Sequence, residues 1–225
     1  MSQPTEQLAI DLPHSVGFGR ADFLVSDCNR AAFDRIERWP ESSEPRVVLY
    51  GPPGCGKSHL AQLWCAASAA RYVAGSTLTH FEPLPGNGAA PPGIAVDDAE
   101  AASEIALLHL YNSCAEAGIG LLIVGRVAPA AWPIALPDLA SRLRSMPAIG
   151  IDPPDEALLG AVLVKHFADR QLRVAPAVIG YLVPRMERSF AMAATLAARL
   201  DHLALAAGSK IGLPLARQVL AELGG

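Results

Sequence analysis

With 225 residues, 51% of them hydrophobic and 18% charged, and a net charge of −4, the chain is too apolar to stay disordered. It is also too acidic to grip nucleic acid along a broad basic face. No stretch approaches the roughly 18 apolar residues of a membrane span, and the start, MSQPTEQLAIDLPHS, has neither the basic end nor the apolar core of a signal peptide. Cys28, Cys55, Cys65 and Cys114 form no CxxC pair and no metal-ligand spacing. Reduced thiols in a cytoplasmic protein without membrane contact are the expectation.

Residues 1–20 are polar and punctuated by Pro4, Pro13, Gly17 and Gly19, the composition of an extended tail. Within that tail QLAIDL, residues 7–12, alternates apolar and polar without helix length. Asp27 or Asn29 would cap a helix running to about Trp39, with Ala32, Phe33, Ile36 and Trp39 on one face. PESSEP (40–45) is a turn, RVVLY (46–50) a buried strand, and a helix follows from Ser58 to about Ala70. RYVAG (71–75), IAVDD (94–98) and LLIVG (121–125) read as further strands, with a loop by composition at 82–92. The intervening segment 104–118 is helical, with an apolar stripe through Ile105, Leu108 and Tyr111. Apolar runs alternating with helices imply a parallel sheet, hence an α/β fold. After about residue 153 the strands stop. DEALLGAVLVKHFADR, capped by Asp155, AVIGYLVPRM, and SFAMAATLAARLDHLALAAG, stopped by Gly208, predict three helices, and a short fourth starts at Pro214. The expected domains are a tail (1–20), an α/β nucleotide domain (21–150) and a helical domain (151–225).

YGPPGCGKSHL (50–60) carries the strongest chemical signal, matching G-x-x-x-x-G-K-[ST] between a strand and a helix. Glycine lets backbone N–H groups converge on an anion, lysine reaches the outer phosphates and the hydroxyl of Ser58 suits Mg²⁺. Gly51, Pro52, Gly54, Cys55, Gly56, Lys57, Ser58 and His59 are the residues expected around a bound ADP or ATP. Asp97, ending a strand, is the second candidate Mg²⁺ ligand, and Asp98 beside it is placed to orient an attacking water. Two aspartates after a strand also suit a turn or a helix cap, which leaves Asp98 open. Arginines matter because a guanidinium at the γ-phosphate is worth about 10³–10⁵ in rate. Arg142 and Arg144 in LPDLASRLRS, and Arg188 at a helix start, are the candidates.

GPPGCGKSHL, AVDDAE, EIALLHLYN and above all LPDLASRL together resemble the AAA+ region of the bacterial initiator DnaA, and most closely the short Hda-type regulators of the same family. The resemblance runs from about residue 7 to the C-terminus. It implies an AAA+ P-loop domain with a small helical lid behind it. Arg142 becomes an arginine finger acting on the nucleotide of a neighbouring molecule, and Arg188 the lid arginine that senses this chain's own nucleotide. QLAIDL resembles the peptide by which such regulators dock on the DNA polymerase sliding clamp, with Gln7 in a polar subsite and Leu8, Ile10 and Leu12 in an apolar pocket. A first strand pairing with the sheet edge is the alternative for that hexapeptide. A chain ending after the lid has no helix-turn-helix domain, so DNA is reached only through the clamp.

One segment departs from the family. Where a small polar or acidic residue is usual after the LLIV strand, this chain has Gly125 and Arg126, which puts its own hydrolysis in doubt. The implied function is regulatory inactivation: a nucleotide-bound protein, docked on a DNA-loaded clamp, stimulates hydrolysis of DnaA-bound ATP. Homo-oligomers are compatible with it. The rivals are a self-contained ATPase, such as a helicase loader or remodelling factor, and a nucleotide-stabilised scaffold.

Overall fold

The structure is a computed structural model that describes residues 20, 23–39, 44–81 and 90–223. Five strands form one parallel sheet in the order β2-β3-β4-β1-β5: β1 (Arg46–Tyr50), β2 (Arg71–Ala74), β3 (Gly93–Asp97), β4 (Gly120–Gly125) and β5 (Ala148–Gly150). Between and after them run α1 (Arg30–Glu37), α2 (Lys57–Ser68), α3 (Glu104–Ala117), α4 (Pro137–Ser145), α5 (Glu156–Asp169), α6 (Pro176–Leu182), α7 (Phe190–Ala206) and α8 (Leu213–Leu223). The α/β parallel-sheet class expected from the sequence is the one observed. Among the described residues no helix is long and apolar enough to cross a membrane.

Strand side chains alternate between faces, and helices cover both faces, so the central strands are apolar throughout. Val47, Leu49, Leu122 and Val124 pack with Phe33, Ile36, Leu60 and Trp64 of α1 and α2. Val48, Ile94, Val96, Leu121 and Ile123 pack with Leu107, Leu110 and Tyr111 of α3 and with Leu139 and Leu143 of α4. These two layers hold the carboxyl ends of β1, β3 and β4 side by side.

The chain divides into two compact units. The sheet unit runs to Leu159 and also takes in Arg188–Ala191; the other comprises Gly160–Glu187 and Met192 onward. The division therefore falls inside α5 rather than at residue 150. In the helical unit Leu163, Phe167, Leu182, Leu196, Leu200 and Val219 are buried. Arg170 meets Asp201 at 3.8 Å and Arg199 meets Glu222 at 3.0 Å.

Four local expectations are corrected. The buried stripe of α3 is Ala106, Leu107, Leu110, Tyr111 and Cys114, while Ile105 is 61% exposed. An alanine- and leucine-rich helix offers several apolar stripes, and the sheet selects one. Asn29 occupies the N-cap position of α1 but does not cap it. Its Oδ1 accepts from the Ser26 N–H and its Nδ2 donates to the Leu24 carbonyl, which ties down the preceding loop. The segment AVIGYLVPRM is helical only to Leu182, consistent with Pro184, which has no N–H to continue the ladder. Helix α4 and strand β5 were not anticipated as elements. Asp155 does cap α5, accepting from the Leu158 N–H at 2.7 Å.

Candidate nucleotide-binding site

A cleft of about 220 Å³ lies at the carboxyl ends of β1, β3 and β4, lined by Pro53, Gly54, Lys57, Ser58, Asp97, Asp98 and the run Val124–Arg126. Crevices outside the carboxyl edge of a parallel sheet are the usual ligand position in such folds.

The floor is the loop from β1 to α2. Gly54 has φ +73, and a Cβ there would come within 2.4 Å of the Ser189 Cβ. The Phe190 N–H donates to the Gly54 carbonyl at 2.9 Å. The segment carrying Arg188 is thus seated on the phosphate loop, and glycine at 54 is what permits the approach. Lys57 opens α2 yet is only 8% exposed; its ammonium donates to the Gly51 and Pro52 carbonyls at 2.8 and 2.7 Å. It is therefore not a solvent-facing group but a tie across the loop, and the residue lines the cleft. Cys55 is buried beneath it, Sγ 3.7 Å from Nζ. Burial raises the thiol pKa while the nearby Lys57 charge pulls it down. Ser58 is exposed toward the cleft. His59, expected among the nucleotide-binding residues, does not line it; its ring meets Phe23 edge-on at 5.2 Å.

The acidic wall comes from the end of β3. Asp97 is nearly buried; its Oδ2 accepts from the Tyr72 hydroxyl at 2.6 Å and its Oδ1 from the Asp98 N–H at 3.0 Å. Burial, with the hydrogen bond to Asp97 and its charge, pushes the Tyr72 pKa up to about 12, so the phenol stays a donor. Asp98 lies just past the strand in a left-handed conformation, φ 50 and ψ 49, which aspartate tolerates better than most residues. Its Oδ1 is 3.2 Å from Arg126 Nη2.

Arg126 also donates its backbone N–H to Glu100 Oε1. A Cβ on Gly125 would stand 2.8 Å from that same oxygen, so glycine at 125 makes room for the Glu100 carboxylate. Tyr72, Glu100, Ser189 and Phe190 escaped sequence reading. Each joins the site through a contact distant in sequence, and no local pattern marks it.

Neither Arg142 nor Arg188 lines the cleft. The Arg142 Nε donates to Asp138 Oδ1 at 3.1 Å, one helical turn earlier on α4. Its guanidinium carbon stands 5.4 Å from the Tyr111 ring centroid, and 37% of its side chain is exposed. Arg188 is 60% exposed and pairs through Nη2 with Glu156 Oε1 at 3.1 Å. Arg144 is exposed on α4. Gln7, Leu8, Ile10 and Leu12 lie outside the described residues.

The arrangement gathers a glycine-containing loop, a lysine, a hydroxyl and a carboxylate around one cleft. Among the described residues no group of three His, Cys, Asp or Glu side chains could cage a metal alone. Ser58 and Asp97 fit Mg²⁺ instead, since that ion keeps waters and phosphate oxygens among its ligands.

Residues 155–220 match the family described as the Hda lid domain. The fold resembles domain III of the Thermotoga maritima replication initiation protein DnaA (TM-score 0.77, 15% identity, covering 91% of this chain and 96% of that one). AMPPCP-bound DnaA from Aquifex aeolicus follows at TM-score 0.69 and 18% identity, covering 83% of this chain. This chain spans 65% of that longer protein. The Thermotoga maritima RuvB Holliday junction branch migration motor gives TM-score 0.73 at 14% identity, covering 92% of this chain and 72% of that one. At such identities the likeness is one of fold.

Proposed function

From a DnaA-related AAA+ chain whose residues 155–220 form an Hda-type lid, we propose a cytoplasmic regulator that switches off the replication initiator DnaA. ADP or ATP occupies the cleft, its phosphates met by the loop amides and Lys57, with Mg²⁺ held by Ser58 and Asp97. When bound, that ion neutralises charge on the phosphate oxygens. Arg188 responds to this nucleotide. The tail, through Gln7, Leu8, Ile10 and Leu12, docks on the sliding clamp, and DNA is met only through the clamp. Arg142 then enters the ATP site of a clamp-proximal DnaA and stabilises the charge that develops on its γ-phosphate.

The observation that carries this reading is the setting of Arg142. The side chain lies outside its own chain's cleft; Asp138 and Tyr111 hold the guanidinium, and more than a third of the side chain as a whole remains exposed. A finger acting on a partner needs that combination of restraint and access. A self-contained ATPase is the weaker reading, because its water-orienting acid, Asp98, is already paired with Arg126.

The test is single-turnover hydrolysis of labelled ATP on DnaA, with clamp loaded on DNA and each variant in excess. Arg142→Ala should still bind ADP and clamp but lose about 10³-fold or more of the stimulation. Lysine at 142 should restore only a minor part, since an ammonium lacks the planar fork that matches phosphate oxygens. Full stimulation by Arg142→Ala would place the finger elsewhere, Arg144 first, or leave a scaffold.

A further inference from the structure

The pairing at the mouth of the cleft has a consequence for this chain's own nucleotide, and it rests on the reading of that cleft as an ATP or ADP site. Asp97 ends β3 and Asp98 follows it, and each carboxylate is engaged by the protein. Asp97 takes the Tyr72 hydroxyl and the Asp98 N–H, which still leaves it a lone pair for a metal-bound water. Asp98 faces Arg126, 3.2 Å away, across the turn that follows β4. Strands β1 and β4 are adjacent and parallel, with Tyr50 opposite Gly125. The turn bearing Arg126 therefore sits beside the start of the phosphate loop, and Asp98 and Arg126 both line the cleft.

One contact fixes this turn without the guanidinium. The Arg126 main-chain N–H is held by Glu100 Oε1, and Gly125 leaves room for that carboxylate. The second oxygen of Glu100 is buried and makes no hydrogen bond among the described residues. Position 126 is thus anchored by its backbone, and its side chain is free to be specified by Asp98.

We propose that Arg126 is a positioning residue that suppresses ATP hydrolysis in this chain by holding the Asp98 carboxylate, so that the protein retains the nucleotide it binds. In the suppressed reaction a water oxygen forms the new bond to the γ-phosphorus. The bridging P–O bond breaks with its electron pair leaving on ADP, and the proton given up by water ends on inorganic phosphate or solvent. Asp98 is the acid next to that position whose lone pairs would accept from the attacking water. With Arg126 opposite, those lone pairs are directed at a guanidinium. The pair is half exposed on both sides, so it is a modest restraint, suited to biasing a carboxylate rather than locking it.

The experiment compares Arg126→Gln, Arg126→Lys and the double variant Arg126→Gln/Asp98→Asn in the full chain. Calorimetry with ATP and ADP comes first and fixes the protein excess for single-turnover hydrolysis. Arg126→Gln should bind both nucleotides, because Lys57 and the loop amides remain, and should hydrolyse ATP about fivefold faster than the parent. Arg126→Lys, which restores a cation opposite Asp98, should fall back toward the parent rate, and so should the double variant. Unchanged or slower turnover in Arg126→Gln with ATP bound would overturn the proposal and leave the nucleotide reading intact. Faster turnover that survives Asp98→Asn would also overturn it. If the parent chain binds neither ATP nor ADP, the nucleotide reading falls and this one with it.

Discussion

Lys57 shows how a motif and its surroundings divide the work at a single residue. The motif says that the side chain meets phosphate, and nothing in its spelling says that the ammonium is buried and tied to the Gly51 and Pro52 carbonyls. Lys57→Ala should therefore do two things. ADP and ATP affinity should drop at least tenfold by calorimetry, since a charged donor to phosphate is lost. Stability should also fall by about 1–2 kcal/mol, read as a lower urea midpoint, because two loop carbonyls lose a charged partner. Unchanged affinity would remove the lysine from the site, and unchanged stability would make its ties to the loop incidental. The same limit applies to Asp97. Its place at a strand end was legible, whereas Tyr72, on a different strand, reaches it only through the parallel pairing of β2 with β3.

At the level of elements, legibility followed how much apolar surface each segment buries. β1, β3 and β4 are covered on both faces and appear as unbroken apolar runs. β5 is three residues long, and its side chains are exposed or half-buried, so no run marks it. Helix α4 is mostly polar, with Leu139, Ala140 and Leu143 alone turned inward. Its sequence stood out for its arginines before its helical period did. Helix α5 carries a testable consequence of burial. Burial pushes the pKa of His166 below the ordinary histidine value; the positive charges of Arg170 and Lys165 add to this, and Asp169 opposes it. The folded helix holds that proton less readily than the unfolded chain. The associated stability is thus present above pH of about 6.5 and is lost as pH falls below it. Urea midpoints should decline as pH is lowered from 7 toward 5, and His166→Gln should flatten the decline. An equal pH slope in both proteins would assign the effect to other groups.

For the whole molecule, the function proposed here places its two working ends far apart in sequence, at the tail and at α4. Replacing Gln7 and Leu8 together with alanine should weaken clamp capture on a surface by about 100-fold or more, since short peptides draw most of their affinity from a few anchors. Nucleotide affinity should not change, because the cleft is built from Pro53 onward. Clamp binding that survives the double change would remove the tail from the docking role and leave the edge-strand alternative. The sheet order adds a demand of a different kind. β1, which ends in the phosphate loop, lies between β4 and β5, with Arg46 opposite Leu121 and Val48 opposite Ala148. Neither partner strand is a neighbour in sequence. Pairings that close such long stretches of chain carry a large entropic cost before they return any stabilisation, and they slow folding. On a ribosome this apolar strand would wait unpaired until the polypeptide had grown past β4 at residue 125, and would gain its second neighbour only past residue 150. The segment most recognisable in the sequence therefore gains its place late, and during synthesis it needs protection from aggregation until then.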